Sequence, residues 1–164
     1  MLKSALAVGP TSNKIDLLYD SECPICRLEV DFLRKRDLDN KISFTDISST
    51  SYIPKEHGNV QFAEGMQKLR AVLPNGQVIT GVDVFRQTYE AIGLGWILWL
   101  TKLPVIGQIA DFVYDIWAEN RLRITGRPEL VVVLQQRAAE LALQQKVKET
   151  QDYESEDCDK CGLD

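Results

Sequence analysis

Two cysteines, Cys23 and Cys26, constrain the fold of this chain most, because of what lies on either side of them. Residues 14–19 form a short apolar run that is typical of a buried strand. From Ile25 onward, apolar side chains recur at helical spacing, so a helix follows this strand almost at once. The sequence therefore predicts a β-strand that leads directly into an α-helix, with a Cys-x-x-Cys motif at the junction.

The remaining pattern predicts a second strand, a hairpin and several further helices. Residues 40–46 alternate between apolar and polar side chains, as a strand does. The pair Asn75-Gly76 separates two apolar-patterned runs, which is a strong hairpin signal. Helical spacing recurs in three later segments, residues 82–92, 105–117 and 128–147. With the first two strands parallel and the hairpin antiparallel, this order predicts an α/β, thioredoxin-like fold (β-α-β, then β-hairpin and α) with additional C-terminal helices.

Two other segments carry weaker structural signals. Residues 48–64 are polar and predict a loop that includes one helical turn. The segment Trp96–Leu100 is very apolar but far shorter than the roughly 20 residues that span a bilayer, so no transmembrane segment is expected. We expect it to form the core of a helical hairpin, with peripheral contact to a membrane or to a partner protein as the alternative.

The chain is expected to contain one folded domain between two loose ends. Residues 1–13 predict a flexible leader, residues 14–149 a single domain with a helical extension, and residues 150–164 an acidic, disordered tail. The apolar run from Ala5 to Val8 is too short for a secretory signal. The expected location is the cytoplasm, or an organelle stroma or matrix if a transit peptide was removed.

Charge and cysteine usage narrow the class of function. The net charge of −5 gives no support to nucleic-acid binding. The four cysteines form two pairs of identical spacing, Cys23/Cys26 and Cys158/Cys161, at opposite ends of the chain. A disulfide-stapled scaffold would scatter its cysteines, so the pattern favours redox or metal chemistry.

The first pair has a physical reason to be reactive. A free thiol has a pKa of about 8.5, and the positive end of a helix dipole favours its thiolate. Cys23 is predicted at this helix N-terminus, and Pro24 suits the first helical position. Cys26 lies one turn later on the apolar side of the helix. We therefore expect Cys23 to be the more acidic and more exposed thiol, which attacks, and Cys26 to be the resolving thiol.

The segment Tyr-Asp-x-x-Cys-Pro-x-Cys-Arg-x-Glu-Val-x-Phe-Leu, which begins at Tyr19, resembles the signature of DCC-type thiol-disulfide oxidoreductases. The residues of that signature are Asp20, Cys23 and Cys26. The resemblance covers about residues 14–123, and it implies a thioredoxin-like fold and dithiol-disulfide exchange. The resemblance also includes Gly65-Met66, just before the hairpin. It assigns four residues to the active-site loop: Tyr19, Pro24, Gly65 and Met66.

The chain departs from thioredoxin itself at two places near the active sulfurs. Gly65-Met66 stands where thioredoxin has a cis-proline, and Leu17 stands where it has a buried acid, while Asp16 points to the other face of the sheet. Two other acids are candidates for catalysis, Glu29 and Asp20. We expect Glu29 to accept the proton of Cys26; the alternative is that it turns to solvent or pairs with a base such as Arg70. For Asp20, a turn or helix-capping role is favoured over catalysis. His57, the only histidine, is not expected to be catalytic.

The second pair, Cys158/Cys161, lies among the acidic residues Glu156, Asp157 and Asp159. Negative neighbours disfavour a thiolate, so these thiols should be poor nucleophiles. Three interpretations stay open. The pair is an idle part of the tail, a flexible dithiol that exchanges electrons with Cys23/Cys26, or half of a zinc site completed by a second chain. No other cofactor is expected.

Taken together, the sequence predicts an enzyme, a thiol-disulfide oxidoreductase that exchanges its Cys23/Cys26 dithiol with a disulfide. The expected partners are a disulfide-bearing protein or small thiol compound and a separate reductant. The alternative is a non-catalytic metal-binding or interaction protein that uses the two cysteine pairs as ligands.

Overall fold

The fold is built on a four-stranded mixed sheet. The structure is a computed structural model that describes residues 13–126 and 128–160. The strands are β1 (Ile15–Tyr19), β2 (Ile42–Asp46), β3 (Arg70–Val72) and β4 (Val78–Thr80), in the order β2-β1-β3-β4. Strand β1 pairs in parallel with β2 and antiparallel with β3, and β3 pairs antiparallel with β4. This confirms the predicted α/β, thioredoxin-like arrangement with additional C-terminal helices.

The central strand β1 is covered on both faces of the sheet. Successive side chains of a strand alternate between faces, and both Leu17 and Leu18 are almost fully buried. The Leu17 face packs against apolar residues of three helices, α1 (Pro24–Arg36), α3 (Val82–Ala91) and α4 (Pro104–Ile124). The members of this cluster are Ile15, Leu17, Val30, Leu33, Ile42, Leu69, Ala71, Val84, Tyr114 and Ala118.

Helix α1 is fixed at both ends by local chemistry. Pro24 occupies its first turn, where the missing N–H would have no helical partner. Its last turn carries Arg34, Lys35 and Arg36, whose positive charges interact favourably with the negative end of the helix dipole. Immediately beyond, the Asp37 carboxylate accepts hydrogen bonds from the backbone N–H groups of Lys41 and Ile42, each at 2.8 Å. The end of α1 is thereby tied to the start of β2.

The predicted hairpin joins β3 to β4. Gly76 has a φ of +82°, which glycine adopts without a Cβ clash. The Asn75 side chain accepts a hydrogen bond from the Gln77 N–H at 2.9 Å, and the Leu73 N–H donates to the Gln77 carbonyl.

The segment predicted as a polar loop contains more regular structure than expected. A short 3-10 turn spans Pro54–Glu56, and helix α2 (Phe62–Gln67) begins inside the predicted loop with a capping box between Gln61 and Glu64. Gly65 and Met66, which were expected in a loop, therefore lie in α2. A Cβ atom on Gly65 would lie 2.8 Å from the Ile47 side chain, so glycine permits this close approach.

The expectation that Trp96–Leu100 forms a core is wrong. These residues lie in a 3-10 segment, Gly95–Lys102, that contributes no buried residue. The side chains of Trp96 and Trp99 are 73% and 60% exposed. Among the described residues no single helix is long and apolar enough to cross a membrane; Gly95–Lys102 and Pro104–Asn120 pass that test only as a pair bent by 105°. Peripheral contact of this segment with a membrane or partner stays a prediction.

The last helix, α5 (Leu130–Lys160), differs from the prediction at both ends. It begins after Pro128 rather than at it, and it continues beyond Val147 through residues expected to be disordered. No proline or glycine interrupts residues 130–160, which are rich in leucine, glutamine and glutamate. The chain divides into two compact units after Leu130, instead of one domain over residues 14–149. The predicted leader, apart from Asn13, and the last residues of the tail lie outside the described residues.

A polar cluster, the Asp16 network, lies on the face of β1 opposite Leu17. The Asp16 side chain is buried, and its Oδ1 accepts hydrogen bonds from Ser43 Oγ at 3.0 Å and Thr45 Oγ1 at 2.6 Å. Its Oδ2 accepts from His57 Nδ1 at 2.6 Å, and the His57 ring stacks on Tyr52. His57 therefore provides a hydrogen-bond donor for the buried carboxylate of Asp16 in the sheet.

Candidate active site

The cysteine motif lies where β1 gives way to α1. Cys23 is the N-cap residue of α1, with extended backbone angles, and its Sγ accepts a hydrogen bond from the Cys26 N–H at 3.4 Å. Pro24 follows in the first helical turn, as predicted. The sulfur of Cys23 therefore lies at the positive end of the helix dipole, where negative charge is favoured.

The turn before Cys23 is fixed by its own hydrogen bonds. The Asp20 carboxylate accepts from the Glu22 N–H at 3.0 Å, and the Asp20 carbonyl accepts from the Cys23 N–H at 3.2 Å. The Ser21 N–H donates a hydrogen bond to the Asp46 carboxylate at 3.2 Å. Asp20 is buried and has the geometry of a turn-forming carboxylate, which is the interpretation that the sequence favoured.

The expectation that Cys23 is the more exposed thiol is wrong. Both residues are buried, Cys23 at 1% exposure and Cys26 at 6%. As an N-cap, the Cys23 side chain turns back toward the first helical turn to reach the Cys26 N–H. A difference in reactivity between the two sulfurs must therefore come from their electrostatic surroundings rather than from exposure.

An apolar cavity of about 780 Å³ opens beside the motif, between β1, α1, α3 and α4. Cys26 and Glu29 of α1 are part of its wall, together with Tyr19 at the end of β1. Cys23 is not. The two sulfurs of the motif thus have different surroundings, because the cavity reaches the second cysteine and not the first.

Glu29 brings a carboxylate into this apolar wall. Its Oε2 accepts a hydrogen bond from the Tyr89 hydroxyl at 3.4 Å, while its buried Oε1 has no hydrogen-bond partner among the described residues. Burial raises the pKa of Glu29 above its ordinary value, and the Tyr89 hydrogen bond opposes this only in part. Burial and the nearby Glu29 charge raise the pKa of Tyr89 to about 12. Arg70 instead donates to the Glu64 carbonyl, so the predicted alternative pairing of Glu29 with Arg70 does not occur.

Comparison with known proteins assigns this arrangement to a family. The family model described as DCC1-like thiol-disulfide oxidoreductase matches residues 17–127, which include the last three residues of β1, the cysteine motif and the cavity wall. The chain belongs to the DCC1-like family. This confirms the resemblance that the signature indicated.

Two curated relatives also match, and neither name states an activity. The first, "Uncharacterized protein At5g50100, chloroplastic" of Arabidopsis thaliana, is 41% identical over 137 residues, which are 83% of this chain and 64% of that protein. The second, "Uncharacterized protein YuxK" of Bacillus subtilis, is 28% identical over 114 residues, which are 68% of this chain and 80% of that protein. This chain thus spans less than two thirds of the plant relative. No solved structure matches.

The DCC1-like match ends before α5, which carries the second cysteine pair. The backbone of Cys158 lies in α5, but its side chain and the whole of Cys161 fall outside the described residues. Within the described part of the chain, no group of three or more histidine, cysteine or acidic side chains could hold a metal ion.

Sequence reasoning missed one residue of this DCC1-like site, Tyr89. Its helical spacing with Val82 and Phe85 assigns it to the apolar side of α3, and it does pack there, with its ring stacked on Phe32. Its hydroxyl also reaches Glu29, a contact 60 residues away in sequence. No local pattern could have indicated a pairing over that separation.

The raised pKa of Glu29 predicts a specific pH dependence of stability. Because the folded protein holds this proton more tightly than the unfolded chain, the contribution of Glu29 is fully present below about pH 4.5 and is lost as pH rises through the raised pKa. A Glu29→Gln variant should therefore gain stability relative to the natural chain as pH increases toward neutrality. Urea unfolding of both proteins across this range measures the difference. Parallel pH curves would contradict the burial of this carboxylate.

Proposed function

We propose that this chain is a thiol-disulfide oxidoreductase in which Cys23 and Cys26 cycle between dithiol and disulfide. The observation that carries the proposal is the N-cap position of Cys23, whose sulfur accepts the Cys26 N–H at 3.4 Å. A thiolate there gains a stronger hydrogen bond and a favourable interaction with the helix dipole. Membership of the DCC1-like family supports the same reaction class.

The exchange proceeds in two steps with a protein disulfide as substrate. The Cys23 thiolate attacks one substrate sulfur, the substrate S–S bond breaks, and a mixed disulfide forms. The other substrate sulfur leaves in this step as a thiolate that takes up a proton. Cys26 then loses its proton and attacks Cys23 Sγ, which releases the substrate sulfur that Cys23 had attacked, as a thiol. Two electrons pass to the substrate, and an external dithiol returns the Cys23–Cys26 disulfide to its reduced form.

Glu29 is the acceptor of the Cys26 proton in this proposal. It lies one helical turn after Cys26 in the same cavity wall. Its pKa is raised by burial, which brings it closer to that of a thiol and makes proton transfer between them less unfavourable. Tyr89 holds the carboxyl group in position through its hydroxyl.

Glu29→Gln is expected to slow the second step by about 10²-fold while leaving the first attack nearly unchanged. Stopped-flow measurement of mixed-disulfide formation and of substrate release separates the two steps. Tyr89→Phe serves as the matched control, since it keeps the carboxylate and removes only its hydrogen bond. Equal slowing of both steps, or of neither, would count against a proton-acceptor role.

A redox titration tests the function itself. After equilibration with mixtures of reduced and oxidised dithiothreitol, the Cys23–Cys26 disulfide should follow a two-electron curve. The same titration of a Cys158→Ser/Cys161→Ser chain shows whether the second pair takes part. Redox-silent thiols with stoichiometric zinc would instead establish the metal-binding alternative, and loss of that zinc in the double variant would place it at the second pair.

The site of action is proposed from the plant relative, whose printed name includes the word chloroplastic. We infer that this chain also acts in a plastid. A fluorescent protein fused to the C-terminus of the full-length protein should accumulate in plastids, and a diffuse cytoplasmic signal would exclude this location.

A further inference from the structure

The apolar cavity reaches the redox pair from one side only. Cys26 forms part of its wall and Cys23 does not. Every wall residue lies between Leu17 and Trp117, within the first compact unit. With a volume of about 780 Å³, the cavity falls within the size range of small-molecule sites. Its concave shape suits a small molecule better than a folded protein.

The chemistry of the wall specifies a neutral and largely apolar occupant. None of the wall residues, all of which the structure describes, is a lysine or an arginine. An anionic disulfide would therefore meet no compensating charge while it loses its hydration. Among the buried side-chain oxygen and nitrogen atoms of this wall, Glu29 Oε1 is the one without a hydrogen-bond partner. The hydroxyls of Tyr89 and Tyr114 already bond to Glu29 and to the Leu69 N–H.

The direction of approach decides which sulfur reacts. In thiol-disulfide exchange the attacking, central and leaving sulfurs lie roughly in a line, because the attack is a displacement at sulfur. A disulfide in the cavity lies on the Cys26 side of the pair. If Cys23 attacked this disulfide, the substrate sulfur now bonded to Cys23 would lie on the same side of Cys23 Sγ as Cys26. Cys26 could then not displace that sulfur by an attack in line with the bond. Attack by Cys26 leaves Cys23 free to approach from the opposite side.

We propose that this cavity binds a small, neutral disulfide carried on a short apolar chain, and that Cys26 rather than Cys23 attacks it. The proposal rests on the redox function of the same pair and names a second substrate class for it. The Cys26 thiolate forms a bond to the nearer substrate sulfur, the substrate S–S bond breaks, and the farther sulfur leaves as a thiolate that takes up a proton. Cys23 then attacks Cys26 Sγ, which gives the Cys23–Cys26 disulfide and releases the nearer sulfur as a thiolate that takes up a proton. Both substrate sulfurs end reduced, by the two electrons of the dithiol.

The pair therefore has two entrances. Protein disulfides react with Cys23 at the helix N-terminus, which requires movement of the residues that cover it because Cys23 is only 1% exposed, and small apolar disulfides reach Cys26 through the cavity. An oxidised pair formed at one entrance can be reduced at the other, so the protein would transfer electrons between a small-molecule pool and protein thiols.

The test measures single attacks on two disulfides of nearly identical size. Dipropyl disulfide and bis(2-hydroxyethyl) disulfide differ at each end by a methyl group in place of a hydroxyl. A Cys23→Ser chain is treated with each, and the adduct at Cys26 is followed by peptide mass spectrometry. Rates are divided by those of free N-acetylcysteine with the same disulfide to remove intrinsic reactivity. We expect a preference of about tenfold or more for dipropyl disulfide, since a methyl-sized group in an apolar pocket has an effect of this size. Cys23 in a Cys26→Ser chain should show no such preference.

Filling the cavity should abolish the preference. Ala110 of α4 is part of the wall, so Ala110→Phe in the Cys23→Ser chain should lower the rate with dipropyl disulfide about tenfold and leave the hydroxyethyl rate nearly unchanged. Gln108→Phe, an exposed position of α4 outside the wall, is the matched control and should change neither rate.

The outcomes separate this inference from the function on which it rests. Equal normalised rates for the two disulfides at Cys26 overturn the inference, and this result does not depend on whether Ala110→Phe folds. In that case, an adduct of either disulfide at either sulfur leaves the proposed redox function in place. A preference that survives Ala110→Phe in a folded protein also overturns it. If neither sulfur forms an adduct with either disulfide, both the inference and the proposed function fail.

Discussion

A Cys26→Ser variant is expected to lose turnover on protein disulfides and to retain its partner as a mixed disulfide at Cys23. The first attack still occurs, because the Cys23 sulfur keeps its N-cap position and its bond from the residue-26 N–H. The second step is lost with the resolving thiol. We expect turnover to fall by on the order of 10³-fold or more, since a well-placed intramolecular group has an effective molarity of about 10⁵ M or above.

Trapping with this variant also identifies the physiological partner. The adduct is recovered from an extract without reductant, released with dithiothreitol and identified by mass. The variant should be made in a Cys158→Ser/Cys161→Ser chain, so that the second pair cannot resolve the adduct. Cys23→Ser in the same background is the control and should retain no protein partner. Equal retention by the two variants would show that protein disulfides do not distinguish the sulfurs.

Asp16→Ala is expected to cause a large loss of stability through the polar network of the sheet. The Asp16 carboxylate is buried and accepts hydrogen bonds from Ser43, Thr45 and His57. Its removal leaves all three donors without their acceptor inside the fold. We expect a loss of about 3 kcal/mol in the free energy of unfolding, the usual size for breaking a buried pair from one side.

Urea unfolding followed by far-ultraviolet circular dichroism measures this loss. Asp39→Ala is the control, because Asp39 pairs with Lys41 on the exposed surface, and it should unfold at nearly the same urea concentration as the natural chain. Asp16→Asn should be intermediate, since an amide oxygen still accepts from Ser43 and Thr45. A midpoint for Asp16→Ala equal to that of Asp39→Ala would show that the network contributes nothing to stability.

The parts of the fold that sequence could predict are those fixed by local chemistry. The apolar run of β1, the proline after Cys23 and the Asn75-Gly76 turn each specify their conformation through neighbouring residues. The junction of strand and helix, and so the N-cap position of Cys23, follows from the same signals. These elements were sufficient to indicate the thioredoxin-like fold and the resemblance to the DCC1-like family.

The parts that sequence could not predict depend on contacts between distant segments. Helix α2 is an exception, because the capping box between Gln61 and Glu64 is a local signal, in a polar stretch that composition alone predicts to be a loop. The exposure of Trp96 could not be foreseen, because apolar composition alone does not say whether another element covers a segment. The pairing of Glu29 with Tyr89 and of Asp16 with His57, and the cavity beside Cys26, arise only when the helices pack on the sheet.

The unequal exposure of the tryptophans gives the protein an internal optical reporter. Trp96 and Trp99 are largely exposed, whereas Trp117 lies in the cavity wall and contacts the Tyr114 ring. Iodide in solution should quench the fluorescence of the first two indoles and leave much of the emission of Trp117. In a Trp96→Phe/Trp99→Phe chain, the remaining emission would report on the environment beside Cys26 alone, so occupation of the cavity could be followed in real time without a label.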